Sequence, residues 1–333
     1  MKLEQMPRYP LLCGFTPLQR MENLEQALGC GPLYIKRDDL TPLGLGGNKT
    51  RKLEFLLGDA LAGGADTLVT VGGVQTNHGR LTAAAAAKAG LACTLVLDGA
   101  RPEKLSGNLL LDCLLGASLV YTDRRSASAV IEETLAALQA AGRAPYFIPE
   151  GGSNAVGSAG YLAMVPELLA QADSLPVPPA RLVCTMGSLG TFAGLWLGAR
   201  AFGAPFSVTG VAVNPTTGYT REKAAALVND MSAAYGLDIA AAPQDMDIIY
   251  ADAAHDYAGP GYNVPDAKTR GAVELLARTE GIFLDPCYTA KSFRGFCDIA
   301  RELDGGAIFV HTGGTPALWT QEHLDAFAAD YWN

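Results

Sequence analysis

Short runs rich in β-branched residues alternate with longer apolar or alanine-rich runs from about residue 66 onward. The short runs predict strands at 67–73, 93–98, 118–123, 144–149, 181–188, 207–214 and 307–314. The longer runs predict helices at 77–90, 105–116, 126–142 and 191–203. Strands separated by helices of this length are typical of parallel sheets flanked by helices. The pattern therefore predicts an α/β fold.

Composition narrows the class of protein. The 333 residues are 49% hydrophobic, which is enough for more than one core, and the net charge of −9 argues against a nucleic-acid or anionic-membrane binder. Arg80 and Lys88 interrupt the most apolar stretch, and the N-terminus lacks a signal peptide's apolar region. Seven scattered cysteines and four separated histidines predict reduced thiols and no metal site. We expect a cytoplasmic protein that does not span a membrane.

The stretch GLGGNKTRKLEFLL, residues 44–57, breaks a local rule. It is typical of a helix start, with Asn48 at the N-cap position and an apolar stripe behind it (Leu53, Leu56 and Leu57). Lys49, Arg51 and Lys52 then fall in the first turn, where the positive end of the helix dipole disfavours cations. One interpretation is a solvated run of charges.

A second interpretation gives these cations a ligand. A Walker A loop requires glycine directly before its lysine, but Asn48 intervenes and the charged segment IKRDDLTP predicts no strand leading into the loop. A lysine amine that bonds covalently to a carbonyl cofactor fits better, because neighbouring positive charges and desolvation lower a lysine pKa. Lys49 is the candidate.

Glycine-rich turns follow several of the predicted strands, namely VGGVQTN, EGGSN, MGSLGT and HTGGT. In α/β sheets ligands bind beyond the carboxyl ends of the strands, so these turns predict one shared crevice. In MGSLGT the backbone N–H groups and hydroxyls of Gly187, Ser188, Gly190 and Thr191 are suited to an anion at a helix N-terminus. We interpret this loop as a phosphate site.

Seven motifs together carry a family resemblance: GGNKTRKLEFLL, GGVQTNHGR, IPEGGSN, MGSLGTFAGL, GPGYNVPD, LDPCYTAK and HTGGTPAL. In this order, over about residues 18–319, they resemble the D-cysteine desulfhydrase and aminocyclopropane-carboxylate deaminase family of pyridoxal-phosphate enzymes. The resemblance implies a homodimer with a fold like that of the tryptophan synthase β-subunit. Residues 1–51 plus 161–333 would form a larger cofactor-binding domain, and residues 52–160 a smaller inserted α/β domain.

The resemblance also implies roles for individual residues. Lys49 would hold pyridoxal phosphate covalently, while the phosphate would be bound by Lys52 and the loop Gly187, Ser188, Leu189, Gly190 and Thr191. Asn77 would bond the phenolic oxygen of the cofactor. The turn Thr76, Asn77 and His78 would take the substrate carboxylate, and Thr76, in place of the family's usual serine, would also be a catalytic residue. Tyr262 and Tyr288 would line the substrate side as candidates for proton transfer. No role follows for Arg51, which is expected to point into solvent, and His311 and Cys287 are expected to be structural.

Two positions favour one branch of the family. Thr289 and Thr312 occupy positions that carry glutamate and leucine in the ring-opening deaminases. A neutral Thr289 beside the pyridine nitrogen would leave that nitrogen largely unprotonated, which suffices for loss of a good β-leaving group. We therefore expect β-elimination, most simply D-cysteine to pyruvate, hydrogen sulfide and ammonia. L-Cysteate and aminocyclopropane-carboxylate are alternative substrates, and a non-catalytic cofactor-binding protein is the alternative of another class.

Overall fold

The computed structural model describes residues 3–123, 125–214, 218, 220–252 and 254–332. The strands among these residues are β1 (Leu18–Arg20), β2 (Leu33–Arg37), β3 (Thr67–Gly73), β4 (Ala92–Asp98), β5 (Ser118–Thr122), β6 (Pro145–Ile148), β7 (Pro179–Met186), β8 (Ser207–Ala212), β9 (Ile248–Ile249) and β10 (Gly306–His311). The α-helices are α1 (Glu22–Leu28), α2 (Lys49–Ala62), α3 (Asn77–Ala89), α4 (Gly107–Leu114), α5 (Ala127–Ala140), α6 (Ala155–Leu162), α7 (Met164–Ala172), α8 (Leu189–Ala201), α9 (Arg221–Tyr235), α10 (Ala267–Glu280), α11 (Thr289–Glu302) and α12 (Gln321–Trp332).

The strands form two sheets. One has the order β1-β2-β10-β7-β8-β9 and the other the order β5-β4-β3-β6. All the pairings are parallel except that of β1 with β2, which is antiparallel. Each strand and helix expected from the alternation is present within a few residues of its expected bounds. The predicted α/β class is therefore confirmed.

The smaller sheet uses only strands between residues 67 and 148, whereas the larger one takes strands from both sides of that range. The larger sheet contributes to two apolar clusters and the smaller sheet to a third, which includes Leu53, Leu56 and Leu57 of α2. The apolar stripe expected behind Asn48 is thus buried. The precise domain boundaries, 52 and 160, stay a prediction.

The expectation that no strand leads into the GLGGNKT loop is wrong in part. The charged segment begins inside β2, which pairs with β10 and ends at Arg37, before a short 3₁₀ turn over Asp38–Leu40. Lys36 is fully buried in this strand, where its Nζ lies 2.5 Å from Oε1 of Glu167. Because a partner carboxylate and two further oxygen acceptors surround the ammonium, a charged residue is accommodated in a central strand.

Within the described part of the chain, no helix is both long and apolar enough to cross a bilayer. The same residues contain no cluster of histidine, cysteine, aspartate or glutamate arranged to bind a metal ion.

Candidate active site

The two sheets meet at a cavity of about 540 Å³. The carboxyl ends of β3, β7 and β10 and the turns that follow them contribute to its lining, as expected for an α/β protein. Ten of the residues proposed from the sequence line it: Lys49, Thr76, Asn77, His78, Gly187, Ser188, Thr191, Tyr262, Tyr288 and Thr312. The shared crevice inferred from the glycine turns is therefore a single cavity.

Four of the proposed residues lie behind the lining: Lys52, Leu189, Gly190 and Thr289. Leu189 packs in the core of the larger sheet. The Thr289 hydroxyl donates to Oδ1 of Asp285 at 2.6 Å and is fully buried. Its proposed place beside the cofactor's pyridine nitrogen stays a prediction.

Lys49 is the first residue of α2, and its side chain points into the cavity. Its Nζ donates to Oδ1 of Asn48 at 3.1 Å, and Nδ2 of Asn48 donates to Oγ1 of Thr191 at 3.0 Å. Asn48 is at the N-cap position, but its side chain makes no capping bond because it is used in this bridge. Desolvation lowers the pKa of Lys49 to about 8, partly opposed by the charge of Glu150. Much of Lys49 is therefore a neutral amine in mildly alkaline solution.

The N-terminus of α8 provides a pocket for an anion. The backbone N–H of Gly190 donates to Oγ of Ser153 at 3.1 Å, and that hydroxyl donates to Oγ of Ser188 at 2.9 Å. Lys52 is fully buried beside it and donates to the carbonyl of Gly151 at 3.0 Å. Burial and the charge of Lys49 hold the pKa of Lys52 well below its ordinary value. An ammonium in this position gains from a bound anion, which would restore its pKa.

Gly190 leaves room that any side chain would fill. A Cβ at this position would lie 2.7 Å from Nζ of Lys52 and 2.9 Å from Oγ of Ser153. The glycine thus keeps a lysine, a hydroxyl and the end of a helix accessible to the same small group.

The turn between β3 and α3 presents three polar side chains to the cavity. Oγ1 of Thr76 accepts from the N–H of Gly79 at 3.2 Å, so Thr76 caps α3. Desolvation, together with the charges of Lys49 and Lys52, holds the pKa of His78 well below its ordinary value. His78 is therefore neutral near pH 7. Oδ1 of Asn77 accepts from Nδ2 of Asn108 at 2.8 Å.

Two tyrosines face each other on another wall of the cavity. The rings of Tyr262 and Tyr288 meet edge to face, with centroids 5.9 Å apart. Desolvation raises the pKa of both hydroxyls, so both stay protonated at neutral pH and can donate a proton. Oδ2 of Asp285 accepts from the backbone N–H of Tyr288 at 2.9 Å, which fixes the turn before α11.

Two residues that lie outside the cavity, His311 and Cys287, were expected from the sequence to have structural roles. His311 is fully buried, with Nε2 2.9 Å from the carbonyl of Phe283, and Cys287 is buried with its Sγ donating to Oδ1 of Asn263 at 2.9 Å. Both placements agree with structural roles. The expectation that Arg51 points into solvent is wrong, since it is 2% exposed and binds Asp38 and Glu167.

Two polar residues of the site were not proposed from the sequence. Ser153 is one of them, although it lies in the EGGSN motif. Asn108 is another, and the spacing of Asn108 and Asp112 within the apolar run LSGNLLLDCLLG was the available signal. Residues four apart share one face of a helix, so this pair predicts a polar face turned toward a buried partner.

Comparisons with known proteins agree with this arrangement. The family model for "Pyridoxal-phosphate dependent enzyme" matches residues 10–313. A D-cysteine desulfhydrase of Yersinia enterocolitica is 40% identical over 328 residues, covering 96% of this chain and 97% of the relative. A putative 1-aminocyclopropane-1-carboxylate deaminase of Pyrococcus abyssi is 39% identical over 322 residues, covering 95% of this chain and 94% of the relative.

Solved structures give the same result. A crystal structure of a homologue of aminocyclopropane-carboxylate deaminase superposes with a TM-score of 0.88 at 35% identity, covering 98% of this chain and 97% of that one. A fungal L-serine ammonia-lyase from Rhizomucor miehei shares the fold, with a TM-score of 0.66 at 19% identity over 96% of this chain and 98% of its own. The chain belongs to the family of pyridoxal-phosphate-dependent enzymes.

Proposed function

We propose that this enzyme catalyses β-elimination from a small amino acid, with D-cysteine as substrate. D-Cysteine and water would give pyruvate, hydrogen sulfide and ammonia. The observation that carries the proposal is the convergence of Lys49, Asn77 and Tyr288 on one cavity. The relative from Yersinia enterocolitica, named as a D-cysteine desulfhydrase, supports the choice of substrate.

The residues present fit pyridoxal phosphate. Lys49 supplies an amine with a lowered pKa, and the pocket around Gly190 supplies Lys52, hydroxyls and the end of α8 for a phosphate group. Asn77 would hold the phenolic oxygen of the ring. When bound, the cofactor withdraws electrons from the α-carbon of an amino acid, which makes the α-proton acidic.

Residues of the protein would then remove the α-proton and protonate the leaving group. Lys49, neutral above a pH of about 8, is a base for the α-proton. The protonated hydroxyls of Tyr262 and Tyr288, which share one wall of the cavity, would donate a proton to the departing sulfur. The Thr76 to His78 turn would bind the substrate carboxylate beside the neutral ring of His78.

The choice between β-elimination and cyclopropane ring opening depends on Thr289 and Thr312, the two threonines that distinguish the branches of the family. The Thr289 hydroxyl is bonded to Asp285, so residue 289 brings no charge of its own to the pyridine nitrogen. Thr312 lines the cavity and would leave room beside it for a small polar substrate. Both features support elimination of a good leaving group rather than cyclopropane cleavage.

A substrate panel tests the proposal. The purified enzyme, loaded with pyridoxal phosphate, is incubated with D-cysteine, L-cysteine, L-cysteate, D-serine and aminocyclopropane-carboxylate, and pyruvate, 2-oxobutyrate, sulfide and sulfite are measured. We expect sulfide and pyruvate in equal amounts from D-cysteine. Sulfite from L-cysteate or 2-oxobutyrate from the cyclopropane substrate, without sulfide from D-cysteine, would assign a different reaction. No product from any substrate would favour a non-catalytic cofactor-binding protein.

Two lysine variants accompany the panel. Lys49→Ala should lose both turnover and the visible absorbance of bound cofactor while keeping its fold. Lys88→Ala is the matched control, because Lys88 is an exposed helical lysine away from the cavity. If Lys49→Ala retains the absorbance band, another lysine binds the cofactor.

We also propose that the enzyme is a homodimer that works in the cytoplasm. The family resemblance supports the dimer, and the seven free cysteines support a reducing compartment. Light scattering during size-exclusion chromatography should give about twice the chain mass of 34.8 kDa. A mass of one chain would contradict the dimer without affecting the proposed chemistry.

A further inference from the structure

Asn108, in the first turn of α4, is fully buried, and both ends of its amide are bonded. Its Oδ1 accepts from Nη1 of Arg80 at 2.9 Å. Its Nδ2 donates to the backbone carbonyl of Gln75 and to Oδ1 of Asn77, each at 2.8 Å. A guanidinium can only donate and a carbonyl can only accept, so these partners allow one orientation of the Asn108 amide.

That orientation fixes the neighbouring amide as well. Because Asn108 presents N–H to Asn77, the oxygen of the Asn77 amide must face Asn108, and its nitrogen must face the other way. Nδ2 of Asn77 lies beside the last glycine turn, 2.8 Å from where a Cβ on Gly314 would be. Asn77 lines the cavity, so the group it offers to a ligand is a hydrogen-bond donor.

Further hydrogen bonds of Arg80 and Gln75 hold the Asn108 amide in this orientation. Nη2 of Arg80 donates to the carbonyl of Gly46 at 2.7 Å, in the loop that carries Lys49. The Gln75 side chain accepts from the backbone N–H of Asn108 at 2.8 Å and donates to the carbonyl of Ser106 at 3.1 Å. These bonds hold the start of α4 against the turn before α3, so Asn108 has little freedom to rotate.

We propose that Asn108 is a positioning residue that fixes the polarity of the Asn77 amide, so that Asn77 donates an N–H to the phenolic oxygen of pyridoxal phosphate. This rests on the proposed placing of the cofactor between Lys49 and Asn77. A donor at this position stabilises the deprotonated oxygen, whereas an acceptor there repels it. The inference concerns cofactor binding and does not depend on which amino acid is the substrate.

Asn108→Asp tests this with an almost isosteric change. Aspartate keeps an acceptor for Arg80 but has no N–H, so Asn77 must turn its own nitrogen toward residue 108 and present its oxygen to the cavity. We expect affinity for pyridoxal phosphate, titrated by fluorescence, to fall at least about ten-fold. The midpoint of the pH titration of the cofactor's visible band should move upward.

Controls separate this role from general damage to the fold. Asn229→Asp is the matched substitution, since Asn229 is an exposed asparagine on α9 that bonds Ala241 through both amide atoms. It should leave the affinity within two-fold of the wild-type value. Asn108→Ala lets the Asn77 amide rotate without forcing it to reverse, so its loss of affinity should be smaller than that of Asn108→Asp.

A double-mutant comparison provides the decisive measurement. In an Asn77→Ala background there is no amide to reorient, so Asn108→Asp should cause little further loss of affinity. The same loss in both backgrounds, wild-type affinity in Asn108→Asp, or a larger loss in Asn108→Ala would each overturn the proposal. If the wild-type enzyme itself fails to bind pyridoxal phosphate, or if Lys49→Ala still shows its absorbance band, the proposed function fails instead.

Discussion

Nε of Arg51 lies 2.8 Å from Oδ2 of Asp38, and both side chains are buried beneath the first turn of α2. The same guanidinium donates to Glu167 of α7 at 2.9 Å. Of the three cations that crowd this helix start, one is therefore part of the scaffold. Asp38 and Glu167 neutralise its charge, whereas Lys49 lines the cavity and Lys52 lies behind that lining.

Arg51→Met should destabilise the fold strongly, because it leaves two buried carboxylates without their shared partner. We expect the free energy of unfolding in urea to fall by about 3–5 kcal/mol. Arg143→Ala is the control, since Arg143 and Asp66 form an exposed pair that solvent screens and that contributes little to stability. Equal effects of the two substitutions would contradict a structural role for Arg51.

Gly190→Ala should block the anion pocket at α8. The added methyl group would lie 2.7 Å from Nζ of Lys52 and Oγ of Ser158, so we expect affinity for pyridoxal phosphate to fall at least about ten-fold. Gly271→Ala, at an open position in α10, should bind the cofactor normally and gain about 0.5–1 kcal/mol of stability. Equilibrium titration measures the affinity and thermal melting measures the stability. Unchanged affinity in Gly190→Ala would show that this pocket does not bind the phosphate of the cofactor.

The uptake of pyridoxal phosphate by the apoenzyme should depend on pH through Lys49. The amine reacts only when neutral, and its pKa is about 8, so the rate should rise with pH and level off above that value. An unperturbed lysine would instead give a rate still rising toward its pKa of about 10.4. Stopped-flow absorbance at a series of pH values distinguishes the two curves.

Lys291→Met should loosen the loop that carries Tyr262. Nζ of Lys291 donates to the carbonyls of Ala258 and Gly261 at 2.6 and 2.8 Å, and the side chain is buried. We expect kcat/KM for D-cysteine to fall at least about ten-fold while the affinity for pyridoxal phosphate stays unchanged, because Tyr262 lines the wall proposed for the substrate. Lys268→Met, at an exposed lysine of α10, is the control. Lost cofactor affinity in Lys291→Met would point to a wider collapse of the site.

Asp112→Asn should alter how stability depends on pH. The carboxyl is buried, neither oxygen has a hydrogen-bond partner among the described residues, and desolvation raises its pKa to about 7. A folded-state pKa above the unfolded value means that the native state binds more protons, so this group lowers stability as pH rises from about 4 to 7. The substitution should flatten that decline in urea unfolding measured across this range. An unchanged slope would show that another group causes it.

The sequence determined the fold class, the strands and helices of the alternating region, and ten of the residues that line the cavity. Hydrophobic periodicity is local, and a motif such as GGNK or MGSLGT fixes the backbone of one turn, so both can be interpreted without knowledge of distant contacts. The roles proposed for the residues in these turns then followed from the family resemblance.

Tertiary structure alone decided which polar groups pair across the chain. Arg51 looks like its neighbours Lys49 and Lys52, and only the approach of Asp38 and of Glu167, 116 residues away, makes it a buried scaffold residue. Asn108 carries no motif, yet its bonds to Arg80 and Asn77 set the polarity of an amide in the cavity. Hydrogen-bond direction depends on both partners, and folding brings those partners together from segments that are far apart in the sequence.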